Sequence, residues 1–192
     1  LLSVNEKKIL NATVCGVDID EDELKKAPEG SYDSIICEDI SKYRGFEDGD
    51  IIICQALLEH VKDVASAFQA FSTILKSGGT ALIFVPSRNA IFARLNNILP
   101  NKIKKQILYS IFPNKKDVGG FKSYYNKCTP KEFKKLSEKI GFKIVDEKYY
   151  FISSYFSFFF PFYFLWRMWI LIFYFFSGNN AAETFSYVLR KK

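Results

Sequence analysis

Four short apolar runs pace the first half of the chain, and their spacing constrains the fold more than any other feature. They cover residues 12–18, 34–37, 50–54 and 80–85 and are rich in Ile and Val. Runs of this length that are continuously apolar, rather than alternating, mark strands covered on both faces, as in a parallel sheet. Helical patterns lie between them. Asp20, with Glu23 three residues later, forms a start signal. Val64, Ala67, Phe68, Phe71, Ile74 and Leu75 follow helical spacing, and Gly78 is the expected stop. Thr129, Pro130 and Glu132 supply a cap, a first-turn proline and a capping-box acid for a helix that carries Phe133, Leu136 and Ile140 and ends at Gly141. Strands alternating with helices predict an α/β fold, doubly wound, with right-handed crossovers.

The C-terminal part changes style. Residues 142–151 and 184–190 read as strands, the second with Phe185, Tyr187 and Leu189 on one face. Between them lies an almost wholly apolar block, residues 152–176, with Arg167 its only charge. A second insert, residues 91–125, mixes Ile, Leu and Phe with Lys102, Lys104, Lys105, Lys115 and Lys116. Residues 1–192 are otherwise expected to form a single domain, a length that suffices for one substantial core.

Charge and cysteine usage narrow the classes of function. The formal net charge of +6 suits an anionic membrane surface or an anionic substrate. No nucleic-acid partner is expected. With four Cys, none in a Cys-x-x-Cys pair, and one His, no metal site is expected. Cys15, Cys37 and Cys54 sit in apolar runs and are expected to be buried free thiols, which fits a reducing cytosol. No charged segment ahead of a short apolar run marks a secretory leader. The sequence opens on Leu1 rather than Met, and further upstream sequence is expected.

The chemistry concentrates at strand ends. Asp18 closes Val14-Cys15-Gly16-Val17-Asp18, and an acid at the carboxyl end of a strand in such a sheet faces the ligand crevice, where it can accept from both hydroxyls of a ribose. Taken alone, Asp18 equally fits a solvated helix cap or a dinucleotide-binding fold. About twenty residues on, Asp39 follows the next strand in Cys37-Glu38-Asp39-Ile40, placed either as a turn residue or to accept from an exocyclic amine. Then come Cys54-Gln55-Ala56-Leu57-Leu58-Glu59-His60-Val61, Leu75-Lys76-Ser77-Gly78-Gly79 and Val85-Pro86.

In that order and spacing the chain resembles the class I S-adenosylmethionine-dependent methyltransferases, in the branch that modifies small molecules, lipids and sugars. The resemblance is specific over residues 14–86. It implies a Rossmann-like, mostly parallel sheet with a reversed C-terminal hairpin, and a methyl donor at the strand ends. Carried over position by position, Asp18 would hold the ribose, Asp39 the adenine amino group, and Ile40 would pack on the adenine ring, with Ile19 a further donor-binding residue. Cys54 and Gln55 would lie near the methionine end. The family's Gly-rich loop follows a first, central strand. Nothing in residues 1–11 resembles that loop, so the chain is expected to lack that strand.

His60 admits two readings, a structural one and proton transfer from an accepting hydroxyl or amine. Tyr124, Tyr125 and Asn126 are the polar candidates for an acceptor pocket under a lid formed by residues 91–125. Residues 152–176 are long enough to cross a bilayer, but a hairpin holds both their ends on one side. They are therefore expected to lie in the interface or to enter and return, broken near Pro161, with a homodimer contact as the alternative. The resulting expectation is S-adenosylmethionine-dependent methyl transfer to a lipid-linked or membrane-proximal small molecule by a cytoplasmic, peripherally membrane-bound protein. The competing reading is a methyltransferase-like interaction module without catalysis.

Overall fold

The computed structural model describes residues 2–98, 122–152 and 159–192. The elements run α1 (Val4–Leu10), β1 (Cys15–Asp18), α2 (Glu21–Lys25), β2 (Ser34–Cys37), β3 (Gly49–Gln55), a single 3-10 turn (Leu58–His60), α3 (Val64–Ile74) and β4 (Leu75–Pro86). There follow α4 (Ile91–Ile98), α5 (Pro130–Ile140), β5 (Phe142–Tyr150), α6 (Phe160–Ser177), a second 3-10 turn (Gly178–Ala181) and β6 (Thr184–Lys191).

Local chemistry sets these boundaries. Ser3 and Glu6 form a reciprocal capping box on α1, which ends at Asn11 in the left-handed conformation. Asp20 caps α2 through the Asp22 amide. Thr129 accepts from the Glu132 amide at the start of α5, and Gly141, at φ +100, closes it.

The strands form two sheets. β1 and β2 pair in parallel, and the larger sheet has the order β3-β4-β6-β5. There β3 and β4 are parallel, while β6 runs antiparallel to both β4 and β5. This is the expected mixed topology, with a reversed C-terminal hairpin, and among the described residues no strand joins the two sheets.

One face of the larger sheet carries the core. Phe68 of α3 meets Phe133 of α5 edge-on, with ring centroids 4.8 Å apart, and Phe133 in turn contacts Phe185 and Tyr187 of β6. Phe68, Phe133, Phe185 and Leu189 are fully buried. Packing of this kind supplies the dominant stabilisation of the domain. On the opposite face Ile51, Ile53, Leu82 and Phe84 are exposed.

Two expectations require correction, and one concerning Pro161 stands. Helix α3 ends at Ile74 and the chain enters β4 at once; Gly78 does not stop the helix. Its φ of +80 serves an irregular opening of β4, where the register against β3 shifts between Gly49 and Ile51. Pro161 sits in the first turn of α6, where its missing amide costs no helical hydrogen bond, so the second arm of the apolar block begins there as expected. Cys15 and Cys37 are exposed, whereas Cys54 and Cys128 are buried. The first pair belongs to a two-stranded sheet, in which a strand has a neighbour on one side only. Of the two inserts, residues 99–121, including the five lysines named above, and residues 153–158 lie outside the described residues.

Candidate active site at the strand ends

β1 and β2 bring the two acids together. Asp18 pairs in register with Cys37, so Asp39 follows immediately beyond the neighbouring strand end. The Asp18 carbonyl accepts from the Glu38 amide at 2.9 Å, and the Cys37 thiol donates to the Ile19 carbonyl at 3.6 Å, tying the two turns to each other. Each carboxylate is then fixed by its own turn. Asp18 Oδ1 accepts from the Asp20 amide at 2.9 Å. Asp39 Oδ1 accepts from the amide and the hydroxyl of Ser41, at 2.9 and 2.8 Å. Such turns are a habit of Asp after a strand. Oδ2 of each accepts no hydrogen bond among the described residues and remains available to a donor group. Ile19 is 66% exposed beside Asp18, while Ile40 is half-buried against the core.

The third strand end carries Cys54 and Gln55. Gln55 is exposed. Cys54 is buried, and desolvation pushes its thiol up to about 12, so it is a neutral packing group rather than a nucleophile. Ala56 then takes a left-handed conformation, φ +51, with its amide donating to the Phe84 carbonyl at 2.9 Å. A non-glycine residue there stores strain of the kind that turns sharply out of a strand.

Beyond this turn Glu59 and His60 act as a clamp. The Glu59 carbonyl accepts from the amides of Tyr124 and Tyr125, at 2.7 and 3.0 Å. His60 Nδ1 lies 3.1 Å from the Lys122 carbonyl and 3.3 Å from the Ser123 hydroxyl, and its Nε2 is 3.8 Å from a Glu59 carboxylate oxygen. Asn126 donates to the Lys62 carbonyl. The residues expected at the acceptor side are thus gathered over the end of β3. Tyr125 has its ring in the core, beside Phe92. The Tyr124 ring lies between the ammonium groups of Lys62 and Lys122, 5.5 and 5.2 Å from its centroid.

Two buried acids escaped the sequence reading. Glu59 and Glu183 are almost wholly buried, and desolvation raises both carboxyls above the ordinary glutamate range. Glu183 precedes β6; its carbonyl accepts from the Ser87 amide and its Oε1 from the Ile91 amide, joining the end of β4 to the start of α4. Isolated acids such as these carry no periodic signal. Among the described residues no cluster of His, Cys, Asp and Glu is placed to hold a metal ion.

Comparison with known proteins bears on the fold. Residues 3–83 match the family described as "Methyltransferase domain". A ubiquinone biosynthesis O-methyltransferase of Thiobacillus denitrificans is 34% identical over 89 residues, which cover 42% of this chain and 38% of that protein. One from Colwellia psychrerythraea is 33% identical over 87 residues, covering 42% and 35%. The match therefore spans well under half the length of these relatives. Among solved structures, the chain superposes on S-adenosylmethionine-dependent methyltransferases from Mesorhizobium loti, with a TM-score of 0.56, 16% identity and coverage of 93% of this chain and 80% of that one. A second, from Archaeoglobus fulgidus, gives a TM-score of 0.54, 15% identity and coverage of 96% and 79%. The fold is that of the class I S-adenosylmethionine-dependent methyltransferases. Residues 3–83 are similar in sequence to the methyltransferase family named above.

Proposed function

We propose that the protein transfers a methyl group from S-adenosylmethionine to a small-molecule acceptor that is lipid-linked or held close to a membrane. The observation that carries the donor assignment is the pair of acids at adjacent strand ends, each with one oxygen held by its own turn and the other unengaged. That pair fits a ribose diol at Asp18 and an adenine amino group at Asp39, with Ile40 offering apolar contact to the ring and Ile19 beside Asp18. Gln55, exposed beyond the buried Cys54, faces the methionine end in this reading.

When bound, the donor supplies an electrophilic methyl group on a sulfonium. The chain's own residues then have to align the acceptor for in-line attack, which matters more for such a displacement than strong acid–base help. His60 and Glu59 hold the segment carrying Tyr124, Tyr125 and Asn126 over the end of β3, and in this account His60 is a positioning residue. The names of the curated relatives, which act in ubiquinone biosynthesis, support a small-molecule acceptor. The exposed apolar helix α6 supports one presented at a membrane, by a cytoplasmic protein bound peripherally. A homodimer through α6 is the competing use of that helix.

Titration calorimetry with S-adenosylmethionine tests the assignment. Asp18→Ala removes charge-assisted hydrogen bonds worth about 1.5–3 kcal/mol each, so affinity is expected to fall at least tenfold with the fold intact. Unchanged affinity contradicts the assignment. Failure of the unsubstituted protein to bind any donor favours a non-catalytic interaction module.

A further inference from the structure

Helix α6 is apolar on every side, yet only 11% of its apolar window is buried. A helix of that kind normally lies inside a large core or a membrane. Here its contacts fix its orientation. Trp166 and Ile170 are buried against the domain. Arg167 donates to the Phe151 carbonyl at 2.8 Å, and the Phe151 ring lies 5.2 Å from that of Tyr174. The Arg94 guanidinium of α4 sits 5.0 Å over Phe173 and 5.9 Å over Trp169. Just past the helix, Asn180 accepts from Asn89 at 2.9 Å and from the Lys131 amide at 3.3 Å.

These contacts follow one side of the helix from Trp166 to Tyr174, about 12 Å at 1.5 Å per residue. The helix therefore lies flat on the domain. The pairing of Tyr150 with Thr184 also returns both ends of the insert to one place. Leu165, Met168, Leu171, Ile172, Phe175 and Phe176 occupy the outward side and are all exposed. A single soluble surface seldom exposes an apolar patch of this size.

Its position gives the patch meaning. Glu183 and Thr184 follow α6 and pair with Ser87 and Pro86, at the carboxyl end of β4, and in register with that end β3 delivers Gln55 beside Phe84. The apolar side thus borders the end of the sheet at which the strand-end site lies. The surroundings carry more basic than acidic groups: Lys131 beside Asn180, Arg94 over the helix, and Lys62 and Lys122 about Tyr124, while Arg88 is paired with Glu132 at 2.8 Å. No acid lies on α6. This charge repels a second copy of the same surface and attracts anionic lipid.

We propose that α6 is an in-plane membrane-docking helix, which seats its outward side at the headgroup–acyl boundary of an anionic bilayer and turns the site end of the sheet toward the lipid. The inference rests on the reading of a membrane-proximal acceptor and deepens it. An acceptor with an apolar tail would then reach the site from the membrane plane without crossing water.

Both tryptophans of the chain, Trp166 and Trp169, lie on α6, so intrinsic fluorescence reports on it directly. The protein is mixed with vesicles of phosphatidylcholine containing phosphatidylglycerol, and with vesicles lacking it. Sedimentation at least about tenfold greater with the anionic vesicles is expected, weakened but not abolished by high salt. Lipids brominated near the headgroup end of the chains are expected to quench more than lipids brominated at the bilayer centre. The variant Leu165→Ser/Ile172→Ser/Phe175→Ser is expected to stay in the supernatant with its circular dichroism unchanged. Should that variant unfold, the quenching pattern of the unsubstituted protein decides alone. Protein that ignores both vesicle types, central bromines that quench best, or a soluble dimer dissociated by the substitutions would each overturn the proposal. Donor titration in parallel separates the two readings: vesicle docking without donor binding leaves α6 as proposed and removes methyl transfer, and donor binding without docking does the reverse.

Discussion

The aromatic residues of the core and those of α6 are the same in kind and opposite in fate. Phe68, Phe71, Phe133, Phe142, Phe185 and Tyr187 come from α3, α5, β5 and β6, each spaced so that one side of its element faces inward, and all are buried. The aromatics of α6 crowd a single helix on all sides, and only Trp166 among them is buried. Aromatic content alone therefore says little about burial; the spacing along the chain decides it. A periodic set can be covered by one partner element, whereas a helix that is apolar all round needs surroundings that are apolar all round.

Stability measurements can break that comparison. Phe133→Ala leaves a cavity between Phe68, Phe185 and Tyr187, and a loss of about 3–5 kcal/mol is expected from denaturant unfolding. Phe175→Ala, on the outward side of α6, is expected to change stability in vesicle-free solution by no more than about 0.5 kcal/mol. Equal losses would mean that α6 is part of the packed core.

A smaller effect concerns the buried carboxyl at Glu59. Burial holds its folded-state pKa above the ordinary glutamate range, so over the interval between the two values the native state binds more protons than the unfolded one. Its contribution therefore makes stability fall as pH rises through that interval. Glu59→Gln is expected to flatten this part of the pH profile of unfolding and to leave stability at neutral pH equal or higher. Glu183, raised for the same reason, keeps its own share. An unaltered slope would show that Glu59 ionises freely in the folded protein.

The sequence carried the parts of the fold that depend on local chemistry. The acid-ended strands, the Thr129 cap and the Gly141 stop all stand where spacing and capping rules put them. Asp18 and Asp39 were legible as a pair because Asp18 closes one strand and Asp39 lies two residues past the next, and register did the rest. What depended on tertiary surroundings was not legible. Gly78 has the look of a helix stop but serves a strand irregularity, because Leu75 is already drawn into the sheet opposite Gly49. Cys15 and Cys37 sit in apolar runs but remain exposed, since their sheet has only two strands. Glu59 and Glu183 are buried by groups distant in sequence, and nothing beside them announces it.

On the proposals above, two adjoining surfaces meet different ligands, the strand ends a soluble methyl donor and α6 a lipid. Amide hydrogen exchange read by mass spectrometry tests both at once. Added S-adenosylmethionine is expected to slow exchange at residues 18–20 and 39–43 and to leave residues 160–177 unchanged. Anionic vesicles are expected to do the converse. Donor that leaves the strand-end amides exchanging as before would contradict the account, as would vesicles that protect the open sheet face at Ile51, Ile53, Leu82 and Phe84 in place of α6.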